Sequence, residues 1–307
     1  MWQSKTMTTP KLVELHRHLD GSMRPDTIHA FAQELGLHVP EDLLFKPKMG
    51  LMEALEKFAF TVALLQRTEH LTQVAHEMCD DALHEGIDHL EIRFAPQLHH
   101  CGGMDVVIDA VIEGCGGRAG IILCGLYGDP PALLHKLVDL GAKRPAVVGL
   151  DLAGGPHRGH AYELADYGDV FRRAGQLGLG RTVHAGEGRP VDEIRIAVEI
   201  LGADRIGHGV TLMDDERVVD LVRSRGVTIE ACPTSNWHTG VIESVAHHPL
   251  EKWLQEDILV ALCTDNTFLS DTDLPSEFDR VQRALNLGPD VVGCMREHAR
   301  NAMFPRR

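Results

Sequence analysis

Short apolar runs alternate with longer stretches of helical periodicity along nearly the whole chain. The first run, Val13-Glu14-Leu15-His16-Arg17-His18-Leu19-Asp20-Gly21, alternates apolar and polar residues and is punctuated by Gly21-Ser22, which predicts a strand. Further strand-like runs follow at His89–Pro96, Ile121–Leu126, Ala146–Leu152, Arg181–His184, Arg205–His208, Val227–Cys232 and Ile258–Thr264. Between them, apolar residues three and four apart predict helices over Pro25–Leu35, Met49–Gln66, Leu71–His84, Asp105–Glu113, Pro131–Leu140, Tyr167–Leu177, Val191–Leu201, Glu216–Arg225 and His248–Glu256. A tail helix is expected from Ser276 to Asn301.

Strand-like runs separated by helices are the pattern of a parallel sheet with helical crossovers. Eight such units over this length favour a closed (β/α)8 TIM-type barrel over an open doubly wound sheet. The absence of a Gly-x-Gly-x-x-Gly or Walker-type loop weakens the dinucleotide-binding alternative. Residues 11–307 are read as one such domain, preceded by a disordered leader over 1–10 that is polar and lacks a signal peptide's apolar core.

Composition narrows the function classes. A formal net charge of -15 repels nucleic acid and anionic membranes, so neither is expected as a partner. No apolar run is long enough for a membrane span. The seven scattered cysteines contain no CxxC pair and read as reduced thiols, which suits a cytoplasmic protein. Cys232 and Cys263, inside predicted strands, are expected to be buried small hydrophobes rather than nucleophiles.

In barrels of this kind chemistry sits at the C-terminal ends of the strands. His16 and His18 lie on one face of the first strand while Arg17 points away. The fourth strand ends in Asp151-Leu152-Ala153-Gly154-Gly155, the fifth in His184-Ala185-Gly186-Glu187, the sixth in Gly207-His208-Gly209 and the eighth in Thr264-Asp265-Asn266. A lone histidine there would pass for core, but metal-competent groups on four strand ends are harder to ascribe to chance. Three imidazoles and a carboxylate suit one Zn2+ or similar ion with a position left open for water. His16, His18, His184 and Asp265 are the expected ligands. No lysine ends the fourth strand to bridge a second ion, so one ion is expected.

The chain resembles the adenosine deaminase family of metal-dependent amidohydrolases. The resemblance is carried by the His16-Arg17-His18-Leu19-Asp20-Gly21 run, Asp151-Leu152-Ala153-Gly154, His184-Ala185-Gly186-Glu187, Arg205-Ile206-Gly207-His208-Gly209, Cys232-Pro233-Thr234-Ser235-Asn236 and Thr264-Asp265, in the family's order. It implies hydrolytic deamination of adenosine or a related 6-aminopurine nucleoside, a small-molecule substrate. Glu187 would donate a proton to the ring nitrogen beside the attacked carbon. His208 would orient and deprotonate the attacking water, Asp265 joining it and Glu187 in the catalytic set. Gly154 would offer its backbone to the other pyrimidine-ring nitrogen, and Asp20 would contact the 5′ region of the sugar. Where familiar members carry a second Asp, this chain has Asn266, whose amide can still donate to the base.

Free adenine and aminodeoxyfutalosine remain alternative substrates, and another mononuclear metal-dependent amidohydrolase is the rival class. Leu51–Phe60 suits a lid over the pocket and ordinary core equally well. Trp237 and His238 are candidate sugar contacts, whereas Arg17 and Arg93 are read as structural.

Overall fold

Eight parallel strands follow one another in chain order around a single sheet: β1 (Leu12–His18), β2 (Ile87–Phe94), β3 (Ala119–Leu126), β4 (Val147–Ala153), β5 (Gly180–Ala185), β6 (Arg205–His208), β7 (Thr228–Ala231) and β8 (Leu259–Leu262). The computed structural model of the chain describes residues 11–155 and 160–306; the expected leader over 1–10 lies outside them. Just past β8 the sheet returns to β1, with His18 N donating to Asp265 O and Asp265 N to His16 O, both at 2.8 Å. The barrel expected from the alternation of runs is the fold observed.

Helices clothe it: α1 (Pro25–Leu35), α2 (Leu51–Leu64), α3 (Thr68–His84), α4 (Met104–Cys115), α5 (Pro131–Ala142), α6 (Gly168–Gln176), α7 (Asp192–Glu199), α8 (Glu216–Arg225), α9 (Pro233–His238), α10 (Leu250–Gln255), α11 (Leu274–Ala284) and α12 (Pro289–Asn301). Local chemistry sets several of their ends. Pro25 stands in the first turn of α1 and left-handed Gly36 (φ 66°) closes it. The Asp215 side chain caps Arg217 N at the start of α8, and that of Asp273 caps Ser276 N in α11.

One expectation needs correcting. The tail is not one helix: it breaks between Ala284 and Pro289, because the proline ring cannot continue a helix and instead opens a new one. The six-residue α9 was not foreseen, being too short to show a period.

β1 carries a bulge. Glu14 pairs with Leu90 but Arg17 with Ile92, so β1 spends one residue more than β2 between those points. Glu14 therefore leaves the face of His16 and His18, taking bonds from His16 N (3.0 Å) and the Thr264 hydroxyl (2.7 Å). Arg17 is buried against Glu85 at 2.7 and 2.9 Å, a structural role as expected.

The lower barrel is filled by charge. Arg93 donates to Asp151 Oδ2 (3.0 Å), Glu230 Oε2 (2.8 Å) and Leu15 O (2.6 Å), and none of the three charged side chains reaches solvent. Arg205 pairs with Glu91 (2.6 Å) and Glu230 (2.8 Å) and lies under the Phe304 ring at 3.5 Å. Arg93 is thus structural too, and it stands directly beneath the histidines.

Candidate active site

Each predicted ligand leaves the end of a different strand, or of β1 twice, and they meet over the barrel axis. His18 Nε2 lies 3.3 Å from His184 Nε2 and 3.4 Å from Asp265 Oδ1, while His16 Nε2 lies 3.7 Å from the same carboxylate oxygen. His208 joins the cluster with its ring centroid 5.2 Å from that of His16 and 5.1 Å from that of His184. His16, His184 and His208 form one group of ligand-competent nitrogens, and His16, His18 and Asp265 another.

The chemistry of these atoms fits a cation. His16 Nδ1 faces Glu230 Oε2 at 2.7 Å and His184 Nδ1 faces Asp151 at 3.1 Å, so each carboxylate draws the proton to Nδ1 and leaves the Nε2 lone pair directed into the cluster. His16 Nε2 is buried without a hydrogen-bond partner among the described residues. Such an orphaned nitrogen beside two other imidazoles and a carboxylate is what a divalent ion would satisfy.

Burial sets the charge states. Desolvation holds His16 and His18 well below their ordinary range. It opposes the charged form of His184 too, but Asp151 outweighs it and that ring titrates higher than usual. His208 is pulled down to about 3, against the opposing pull of Asp265. Burial raises the carboxyl of Glu187, with Arg189 and His184 only partly offsetting it, and pushes Asp20 up to about 7. Glu187 Oε2 stands 3.8 Å from His208 Nε2.

A cavity of 390 Å³ opens over the cluster, lined by His18, His184, His208, Glu187 and Asp265 as well as by Asp20, Gly154 and Asn266. The expected catalytic, base-binding and metal-ligating residues therefore border this cavity, except His16, which is not among its lining. Leu51, Ala54, Leu55, Phe58, Ala59 and Val62 line it, so α2 faces the cavity as well as the core. Trp237 and His238 do not border the cavity; their rings stack on each other 5.6 Å apart, and His238 stands edge-on, at 6.4 Å between centroids, to Phe45, which does line it. Gly21 is required beside Asn266, since a Cβ there would stand 1.8 Å from Asn266 Oδ1.

Sequence reasoning missed the residues that hold this constellation. Asn236 Nδ2 lies 3.0 Å from His208 Nδ1, and Ser235 Oγ donates to Asp265 Oδ2 at 2.6 Å. Both come from α9. Glu230 and Asp151 carried one visible signal, a lone carboxylate inside an otherwise apolar buried strand.

Comparison with known proteins finds relatives over nearly the whole chain. A family model described as Adenosine deaminase matches residues 10–304. An adenosine deaminase of Clostridium perfringens is 36% identical over 301 residues, covering 92% of this chain and 90% of its own. Among solved structures, the adenine deaminase of Arthrobacter aurescens superposes with a TM-score of 0.88 at 23% identity, covering 97% of this chain and 94% of that one. The N6-mAMP deaminase of Arabidopsis does so with 0.85 at 24%, covering 96% and 93%.

Proposed function

The chain belongs to the adenosine deaminase family, and from that premise we propose that it hydrolyses adenosine, or a closely related 6-aminopurine nucleoside, to the 6-oxo product and ammonia. The observation that carries this reading is the buried Glu187 carboxyl at the same cavity wall as the cluster of His16, His18, His184, His208 and Asp265. A simple ester or amide hydrolase would not require Glu187 beside the fifth-strand histidine.

His16, His18, His184 and Asp265 would hold a single Zn2+. Bound there, the ion supplies the Lewis acidity that lowers the pKa of water to about 7. The remaining work belongs to the chain. His208, kept neutral by burial, accepts a proton from the attacking water through Nε2; this requires the hydrogen on Nδ1, where the side-chain amide of Asn236, 3.0 Å away, meets it with its oxygen and fixes the ring. Glu187, whose carboxyl burial favours in the protonated form, donates to the ring nitrogen beside the attacked carbon. That donation relieves the loss of ring conjugation, a general-acid contribution of about 10²–10⁴-fold. Gly154, Asn266 and Asp20 hold the base and sugar, and α2 excludes water.

The protein would act in the cytoplasm. All seven cysteines are free, and no helix among the described residues is long and apolar enough to cross a membrane. Ammonia release from zinc-loaded protein, measured across adenosine, adenine and 5′-substituted adenosines, tests the reading. Turnover of adenosine is expected; failure with every 6-aminopurine would sink it.

A further inference from the structure

The barrel is not equally stitched all round. β4 and β5 share only two register pairs, Gly149 with Gly180 and Leu150 with Arg181, near the bottom of the strands. β3 and β4 pair through to Leu126 and Ala153, and β5 and β6 through to Ala185 and His208. Ladder pairing thus stops short of the rim between β4 and β5, the two strands that deliver Gly154 and His184 to the cavity.

Arg189 spans the gap. Its guanidinium donates from one terminal nitrogen to Gly154 O (3.1 Å) and from the other to His184 O (2.7 Å), while Nε donates to Glu193 Oε2 (2.7 Å) on α7. Tyr127 completes the brace: its hydroxyl donates to the same His184 carbonyl at 2.7 Å, and its ring lies 4.8 Å from the guanidinium carbon. The Arg189 carbonyl is itself fixed by the Thr211 hydroxyl at 2.8 Å. A planar fork with all three nitrogens engaged is a fixed spacer, a role no ammonium could copy. Gly154 leaves β4 in the left-handed conformation (φ 73°), where no ladder bond restrains it against β5.

We propose that Arg189 is a positioning residue for the deamination, the strap that sets the separation of the β4 and β5 ends and so fixes Gly154 against the purine ring. It acts through backbone carbonyls and touches neither the base nor the reacting carbon. The inference rests on the deaminase reading, and wild-type turnover of adenosine is measured first so that the two can fail separately.

The test compares Arg189→Met and Arg189→Lys with wild type in zinc-loaded, full-length protein, following kcat and KM for adenosine, zinc content and thermal midpoint. A second readout is the inhibition constant of 3-deazaadenosine, which has a CH in place of the ring nitrogen that Gly154 would contact. Loss of the strap is expected to lower kcat/KM by about 10- to 100-fold, mainly through KM, with zinc content unchanged. Arg189→Lys should fall between, because one ammonium cannot reach both carbonyls. In wild type 3-deazaadenosine should bind more weakly than adenosine, and that discrimination should shrink in both variants. A purely structural role would weaken both ligands in proportion. Glu193→Gln, whose amide oxygen still accepts from Nε, should remain within about twofold of wild type. If Arg189→Met does not fold, Arg189→Lys decides: wild-type kcat/KM or undiminished discrimination in the folded variant overturns the proposal.

Discussion

Replacing Arg93 by methionine keeps most of the side-chain volume and deletes the charge beneath the metal cluster. Three bonds go at once, to Asp151 Oδ2, Glu230 Oε2 and Leu15 O. The two carboxylates do not suffer equally. Glu230 keeps Arg205 at 2.8 Å and the Thr182 hydroxyl at 3.1 Å. Among the described residues Asp151 keeps His184 and the weak Cys124 thiol at 3.6 Å, and no arginine. Stripping one partner from a buried pair costs about 3–5 kcal/mol, and the surviving Arg205 contact argues for the lower end, about 3 kcal/mol. Because Asp151 orients His184, the damage should spread to the metal, lowering zinc affinity about 10- to 100-fold. Urea unfolding of chelator-treated protein reads the first quantity and zinc competition the second. A variant that loses under 1 kcal/mol and holds zinc as tightly as wild type would show that this network neither stabilises the barrel nor orients its ligands.

Glu187→Gln keeps the shape of the side chain but cannot give up a proton, so kcat for adenosine should fall about 10²–10⁴-fold with zinc still bound; full activity would return the site to simple hydrolysis. Phe58→Ala opens the α2 roof, where Phe58 stands edge-on to His18 with ring centroids 6.0 Å apart. Its KM should rise about tenfold, consistent with removal of one aromatic wall; an unchanged KM would mean that α2 does not cover bound substrate. His99, which is not among the residues lining the cavity, is held down to about 4 by burial, with Nδ1 on Leu65 O at 2.9 Å and Nε2 without a partner among the described residues. The unfolded chain takes up this proton near the ordinary value of 6.5 and the folded chain only near 4, so stability falls as pH drops through that window. The loss should reach about 3 kcal/mol by pH 4, and urea midpoints for His99→Gln should fall less steeply than wild type over the same range. Parallel curves would refute the assignment.

Elements with a local signature were legible in the sequence, and those made by long-range pairing were not. The β1 run, the Pro25 start of α1 and the polar ends of β5, β6 and β8 each announce themselves within a few residues. The pairing of Arg93 with Asp151 and Glu230 does not, because the partners lie 58 and 137 positions away. A charged residue inside a strand reads simply as a break in an apolar run. The bulge in β1 was hidden for the same reason: whether Glu14 shares a face with His16 depends on where β2 lies, which no pattern within β1 states. The lid was ambiguous because an apolar helix face looks alike over a core or over a cavity.

The missed α9 shows how the site is kept in shape. His208 and Asp265 both sit in the left-handed region, each with φ 67°, where a residue with a side chain pays about 1–3 kcal/mol. That conformation turns the chain out of β6 and just beyond β8 at the very positions where a base and a ligand are wanted. Each is held there by a neighbour on α9, Asn236 for His208 and Ser235 for Asp265. α9 is anchored in turn by the fully buried Glu277 of α11, which accepts from Thr234 N at 2.8 Å and from the Thr234 hydroxyl. The strain at two strand ends is therefore balanced by a chain of bonds running from an outer helix through a single turn and a half of α9. That bracing role explains the Cys232-Pro233-Thr234-Ser235-Asn236 run, of which Ser235 alone borders the cavity among the described residues.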